Sequence, residues 1–179
     1  DYSSTIPGVT YLDSIELQDR GVYCVEYNEP AEPMPSTDTY AIDWYGFYNG
    51  STNKNTFLPD RSTAKNSDAF LLNLRQPSFE RTKYGMLTKI IYPTGGWTTF
   101  AYELNDYSRD YLNTVANLNL EPDGIDHVGA GIRLRSMSDY DSDGTVFRQT
   151  DYKYINKDGK SSGCLLWRPI IYSNYSVRT

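Results

Sequence analysis

The sequence predicts an all-β protein: antiparallel hairpins in a twisted sheet or sandwich, with one short helix and a long irregular loop. Three observations lead there. Residues 86–103, M-L-T-K-I-I-Y-P-T-G-G-W-T-T-F-A-Y-E, set two β-rich runs around Pro93-Thr94-Gly95-Gly96. Seventeen tyrosines stand against three methionines, a usage that suits a pleated, half-buried surface. Turn formers such as Asp19-Arg20-Gly21 and Asp158-Gly159 recur between short alternating stretches. With 179 residues, 39% of them hydrophobic, the chain can fill one sizeable core, and no composition shift marks a second. A single β-rich domain over residues 1–179 is expected.

The elements follow in order. Residues 9–17 alternate, with Val9, Tyr11, Ile15 and Leu17 on one side and Asp13 interrupting them. Asp19-Arg20-Gly21 reverses the chain, and residues 22–27 return with Tyr23, Val25 and Tyr27 sharing a face, which makes a first hairpin. Residues 28–76 hold Pro30, Pro33, Pro35, Asn49-Gly50 and Pro59, which break any period. A loop this long is usually functional or partly mobile. Inside it lies the aromatic cluster Asp43-Trp44-Tyr45-Gly46-Phe47-Tyr48-Asn49-Gly50. Residues 78–84 predict the short helix, capped by Ser78, with Glu80 in its first turn and Gly85 ending it in the left-handed region.

The hairpin of residues 87–102 comes next. Proline presets one backbone angle and glycine accepts positive φ, so Pro93-Thr94-Gly95-Gly96 can reverse the chain. Tyr111, Leu112, Val115 and Ala116 suggest a helical turn that Pro122-Asp123-Gly124 ends. Gly129-Ala130-Gly131 reads as a backbone turn before a strand over residues 132–137. Residues 139–144 form a turn, residues 145–155 a longer strand, and Asn156-Lys157-Asp158-Gly159 another turn. Residues 164–172 are a last apolar run in which Pro169 indicates an edge or a bulge. Residues 173–179 read as a cut or fraying end.

Seventeen basic and 23 acidic residues give a formal net charge of −6, the wrong sign for non-specific nucleic-acid binding. No apolar run approaches the roughly 20 residues of a membrane span. The chain opens on Asp1 without a visible signal peptide, so a processed or excised piece of a longer chain is expected. Cys24 and Cys164 lie far apart and form no metal pattern; their spacing leaves both a disulfide and free thiols open.

Several segments, in order, resemble a known kind of protein. They are Tyr23-Cys24-Val25-Glu26-Tyr27-Asn28; the cluster at residues 43–50; residues 85–96 with their Y-P-T-G-G block; Phe100-Ala101-Tyr102-Glu103; and residues 129–135. Together they resemble a segment of the RHS-like, or YD-repeat-like, large surface proteins of Bacteroidetes. The match covers residues 9–166. Tyr140-Asp141-Ser142-Asp143-Gly144 also resembles the start of one YD repeat, in a single copy. Ala130 and Ile132-Arg133-Leu134 vary the family's G-G-L-R-I strand. The resemblance implies an extracellular or cell-surface all-β segment whose partner is the rest of its own longer chain, either part of a β-shell or a globular module beside it. It carries no catalytic residue and no cofactor over.

Four chemical readings arise from the residues themselves. Asp139, Asp141 and Asp143, ahead of Gly144, fit the first half of a calcium loop. The twelfth position is Thr150 where a bidentate Glu belongs, so a solvated turn is the expectation. Trp44, Tyr45, Tyr48, Trp97 and Trp167 offer flat faces for sugar rings, or else pack the core; Trp44, in the long loop, is the best exposed candidate. His127, the only histidine, sits beside Asp126 and is expected in a surface loop. No pair of the 23 acids is singled out for glycoside hydrolysis, and Gly95-Gly96 and Gly129-Ala130-Gly131 lack the context of phosphate sites. Asn49-Gly50-Ser51 and Asn174-Tyr175-Ser176 match the glycosylation sequon; in a bacterial chain of the kind the resemblance implies they would be chance matches. The expectation is therefore a non-catalytic scaffold segment, prone to self-association through sheet edges. A glycan-binding module using Trp44, Tyr45, Tyr48 and Trp97 is the alternative.

Overall fold

The computed structural model describes residues 2–6, 9–30, 36, 38–52, 75–110 and 126–165. They form ten strands and one helical turn, so the protein is all-β. The chain divides into two compact units, residues 1–105 with 130–153 and residues 106–129 with 154–179.

The first unit holds most of a six-stranded sheet, formed in spatial order by β3 (Ser14–Leu17), β4 (Gly21–Tyr27), β5 (Leu87–Ile91), β6 (Trp97–Tyr107), β8 (His127–Tyr140) and β9 (Val146–Asp151), numbered in chain order. Strands β3 and β4 pair across a turn in which Asp19 has φ 63° and Gly21 φ 85°. β4 then pairs with β5, Cys24 opposite Ile91 and Val25 opposite Ile90. β5 turns through Pro93-Thr94-Gly95-Gly96 into β6, with Ile90 opposite Thr98. β6 neighbours β8, and β8 pairs with β9. The three reversals lie side by side. A Cβ added to Gly21 would meet Pro93 at 2.8 Å, and one added to Gly96 would meet the Tyr140 carbonyl oxygen at 2.7 Å. Gly96 is thus required by close approach, because a side chain there would displace backbone.

Alternation along β6 divides its contacts between two faces. On one, Tyr23 meets Tyr92 edge-on at 6.1 Å, the Tyr92 hydroxyl lies 2.8 Å from Thr98 Oγ1, and Thr98 donates to Asp139 Oδ1 at 2.6 Å. On the other, Lys89 pairs with Glu26 at 3.2 Å and lies 5.2 Å from the Trp97 ring, which stacks on Tyr140. Arg133 and Glu103 pair at 2.7 Å.

Several elements depart from the expected boundaries. The strand of residues 9–17 breaks at Asp13, whose carbonyl accepts from Val25 N at 2.9 Å. Its first part, β2 (Val9–Leu12), leaves to pair with β1 (Tyr2–Ile6) in a separate two-stranded sheet. β6 runs five residues past Tyr102. β8 starts at His127 and contains Gly129-Ala130-Gly131, which is no turn between elements. Gly131 has φ 69°, and an added Cβ would meet the Phe47 ring at 2.8 Å, so the glycine admits that ring. The helix is one turn, α1 (Phe79–Thr82); Ser78 stands at its N-cap without a side-chain cap bond. Gly85 follows at φ 75° as expected. Asp139 and Tyr140 belong to β8, and the turn itself is residues 141–144. The long strand after it ends at Asp151, short of residue 155.

In the second unit, β7 (Arg109–Asp110) pairs with β10 (Cys164–Leu165), and this pairing is parallel where antiparallel hairpins are expected. Ile155 bridges Ser161 across the turn of residues 156–159. The readings of Tyr111, Leu112, Val115 and Ala116, of Trp167 and Pro169, and of residues 53–74 and 173–179 lie outside the described residues.

Few apolar side chains among the described residues are fully buried. Among the described residues Ala41 and Tyr107 are the buried apolar ones, while Asp43, Arg75, Thr98, Ser108 and Ser161 are buried and polar. Ile15, Leu17 and Val22 at one end of the sheet, and Val146 and Phe147 at the other, are exposed, Phe147 by 69%.

Candidate functional site

The aromatic loop of residues 41–50 is built on a buried carboxylate. Ile42 bridges Tyr48, and Asp43 N donates to the Phe47 carbonyl at 2.7 Å, closing a tight reversal with Gly46 at φ 93°. Asp43, only 1% exposed, accepts on Oδ1 from Tyr45 N at 2.8 Å and Phe47 N at 2.9 Å. The side chain thereby satisfies the amides that the reversal leaves unpaired. Its Oδ2 is buried without a hydrogen-bond partner. Burial raises the Asp43 pKa above the usual carboxylate value; the backbone donors and the Arg75 guanidinium oppose the rise.

Arg75 is the second buried charge. It donates from Nη1 to the Ile42 carbonyl at 3.3 Å, and its guanidinium lies 5.8 Å from the Trp44 ring centre. Trp44 N donates to the Arg75 carbonyl at 3.1 Å. Burial lowers the Arg75 pKa and Asp43 counters it. The loop is therefore held in one shape from beneath, with Trp44 half-buried over Arg75 and Phe47 41% exposed. Tyr48 packs 6.2 Å from Tyr84, and Thr82 Oγ1 donates to the Tyr48 carbonyl at 3.3 Å. Tyr45 is half-buried, its amide on Asp43.

Trp97 belongs to a different neighbourhood. It stacks on Tyr140 at 5.2 Å and 14°, and Lys89 Nζ lies 5.2 Å from its ring. One contact comes from each neighbouring strand. The structure thus groups Trp44, Tyr45 and Tyr48 in one loop, whereas the ring partners of Trp97 are strand residues. Phe47 joins the loop group although the sequence reading did not select it. Asp43 and Arg75 were not selected either. The available signal was Asp43 followed three residues later by Gly46, the composition of a turn with a side-chain acceptor.

The acidic turn uses its carboxylates locally. Asp139 Oδ1 accepts from Thr98, Asp141 Oδ1 from Ser142 N at 2.7 Å, and Asp143 Oδ1 from Thr145 N at 2.8 Å. The Thr145 backbone donor lowers the Asp143 pKa. Among the described residues no three of His, Cys, Asp or Glu gather in a metal-holding arrangement. Cys24 and Cys164 are both exposed free thiols.

His127 begins β8 instead of lying in a loop, and its ring stacks on Tyr107 at 5.3 Å. Nearby in the same unit, Ser161 is 1% exposed and forms a hub. Its hydroxyl donates to Asp106 and accepts from Gly163 N at 3.0 Å. Its amide donates to Asp126 at 3.0 Å, and its carbonyl accepts from Ser108 at 2.7 Å and Asn156 at 2.9 Å. The hydroxyl proton of this buried serine is thus directed at the Asp106 carboxylate.

The chain matches no protein-family model, no curated protein and no solved structure.

Proposed function

We propose that this chain is a non-catalytic structural segment of a large secreted or cell-surface RHS-like protein, a piece of β-scaffold that joins further β-structure. The observation that carries the reading is the exposure of apolar side chains on the outer strands of the sheet. Ile15 and Leu17 on one outermost strand and Val146 and Phe147 on the other are exposed, while the described residues bury only two apolar side chains. Apolar burial is the main favourable term in folding, at roughly 25 cal/mol per Å². Outer strands that leave apolar side chains to solvent suit a unit completed by more protein. The Y-P-T-G-G hairpin and the aromatic loop, which carry the resemblance, are both ordered parts of the first unit. The test is binding of an apolar fluorescent dye to the native chain. The scaffold reading expects strong dye fluorescence under native conditions, reduced by Phe147→Ser. Fluorescence no greater than that of an ordinary folded domain would oppose it.

A second reading, a glycan-binding module, is favoured by one observation. Trp44 and Phe47 are presented on a loop that Asp43 fixes in advance, and preorganisation lowers the cost of binding. Trp97 then contributes little, because its ring contacts run to Tyr140 and Lys89.

A further inference from the structure

We propose that the β9 edge pairs antiparallel with the β9 edge of a second copy of this chain, about a two-fold axis through Thr150. The inference rests on the scaffold reading above and names the partner of one of its edges.

β9 is outermost in the sheet order, and every residue of it but Thr150 is exposed. Which of its backbone groups face outward follows from one bond. Tyr152 N donates to the Arg135 carbonyl of β8 at 2.9 Å. Backbone groups alternate along a strand, so Thr150 and Arg148 also face β8, while Gln149 and Asp151 turn theirs outward. The register shift beside Tyr140 makes Phe147 a bulge, so the regular outer run is residues 148–152.

Geometry and charge then select the register. In an antiparallel pair, opposed residues both face the partner or both face away. An isologous pairing must therefore centre on a residue and set odd positions against odd ones. Centring on Arg148 opposes two arginines, and centring on Asp151 opposes two aspartates; like charges directly opposite are destabilising. Centring on Gln149 pairs only residues 148–150 of the regular run. Centring on Thr150 uses the whole run and sets Gln149 against Asp151 and Arg148 against Tyr152, each twice. The Gln149 amide already donates to Asp151 within one strand, at 3.1 Å, so the chemistry of that cross-strand pair is present. The β3 edge is a poorer partner, since residues 13–19 hold Asp13, Glu16 and Asp19 and no base.

A pairing of five residues buries far less than the roughly 1,600 Å² of a standard interface, so the dimer is weak and depends on concentration. It is tested by disulfide trapping in a Cys24→Ser, Cys164→Ser chain. Thr150→Cys is expected to oxidise to a covalent dimer, while Gln149→Cys and Glu16→Cys stay monomeric. Preferential trapping through Gln149→Cys or Glu16→Cys, or through none of the three, overturns the proposal. A second variant checks the hydrogen bonds. Proline at an outward-facing position removes no bond within the sheet. Gln149→Pro is therefore expected to halve the sedimenting mass at high concentration with an unchanged circular dichroism spectrum. An unmodified chain that stays monomeric at every concentration overturns the pairing, whereas the scaffold reading is tested separately by the dye measurement.

Discussion

At the scale of single residues, Asp43 does the most. One carboxylate oxygen holds two amides of the aromatic loop, and the other is buried without a hydrogen-bond partner. Asp43→Ala leaves those amides unpaired and removes a charge that favours the Arg75 cation. A loss of about 1–3 kcal/mol is expected in denaturant unfolding. Asp43→Asn separates charge from shape. Burial raises the Asp43 pKa in the fold, so the folded state binds protons more readily than the unfolded one. The stability this contributes is fully present below the unfolded value and declines as pH rises from there through the raised folded value. Wild type should therefore lose stability relative to Asp43→Asn as pH increases through that window. A gain over the same window would contradict the assignment. Gly131 is a second single-residue determinant. Gly131→Ala meets both a left-handed φ and the Phe47 ring, and should cost about 1–3 kcal/mol. Phe47→Ala in the same chain should recover part of that loss. The acidic turn gives a third expectation. Asp139 and Asp143 already accept local donors, so millimolar calcium should leave the melting temperature unchanged. A rise reversed by chelator would show otherwise.

At the scale of elements, legibility followed how local the cause is. The β5–β6 hairpin was legible because its turn residues and both alternating runs lie within a few positions. The β3–β4 hairpin was legible for the same reason, through Asp19 and Gly21. The N-terminal alternation was misjudged as one strand, because the break at Asp13 is made by a bond to Val25 on the next strand. β6 outran its expected end through Glu103, Leu104, Asn105 and Asp106, which have weak strand preference; pairing with β8 extends it, as the Asn105 amide bonded to the Ala130 carbonyl illustrates. The glycines of β8 were misjudged because a glycine that admits a distant ring and one that turns the chain look alike in sequence. The parallel pairing of β7 with β10 joins segments more than fifty residues apart, and two-residue strands carry no periodicity. The aromatic loop was legible as a cluster, but its buried Asp43 and Arg75 were not, since burial of a charge is set by tertiary packing. Gly96→Ala is the element-scale test. The added Cβ meets the Tyr140 carbonyl, so the β5–β6 and β8–β9 turns must separate. Amide exchange should quicken at both turns together, and quickening at the β5–β6 turn alone would mean that the two are not packed as described.

At the scale of the whole molecule, the exposed outer strands and the aromatic loop point to different lives for this chain. Exposed apolar side chains on β3, β4 and β9 fit a unit completed by other protein, and no helix among the described residues is long and apolar enough to cross a membrane. The loop, by contrast, displays Trp44 and Phe47 on a preformed support. A screen of the purified chain against a broad panel of glycans and polysaccharides, run beside Trp44→Ala, separates the two most directly. As a scaffold unit the chain binds none of the panel specifically, and the substitution changes nothing. Specific binding that Trp44→Ala abolishes would contradict the structural reading and make this a recognition module.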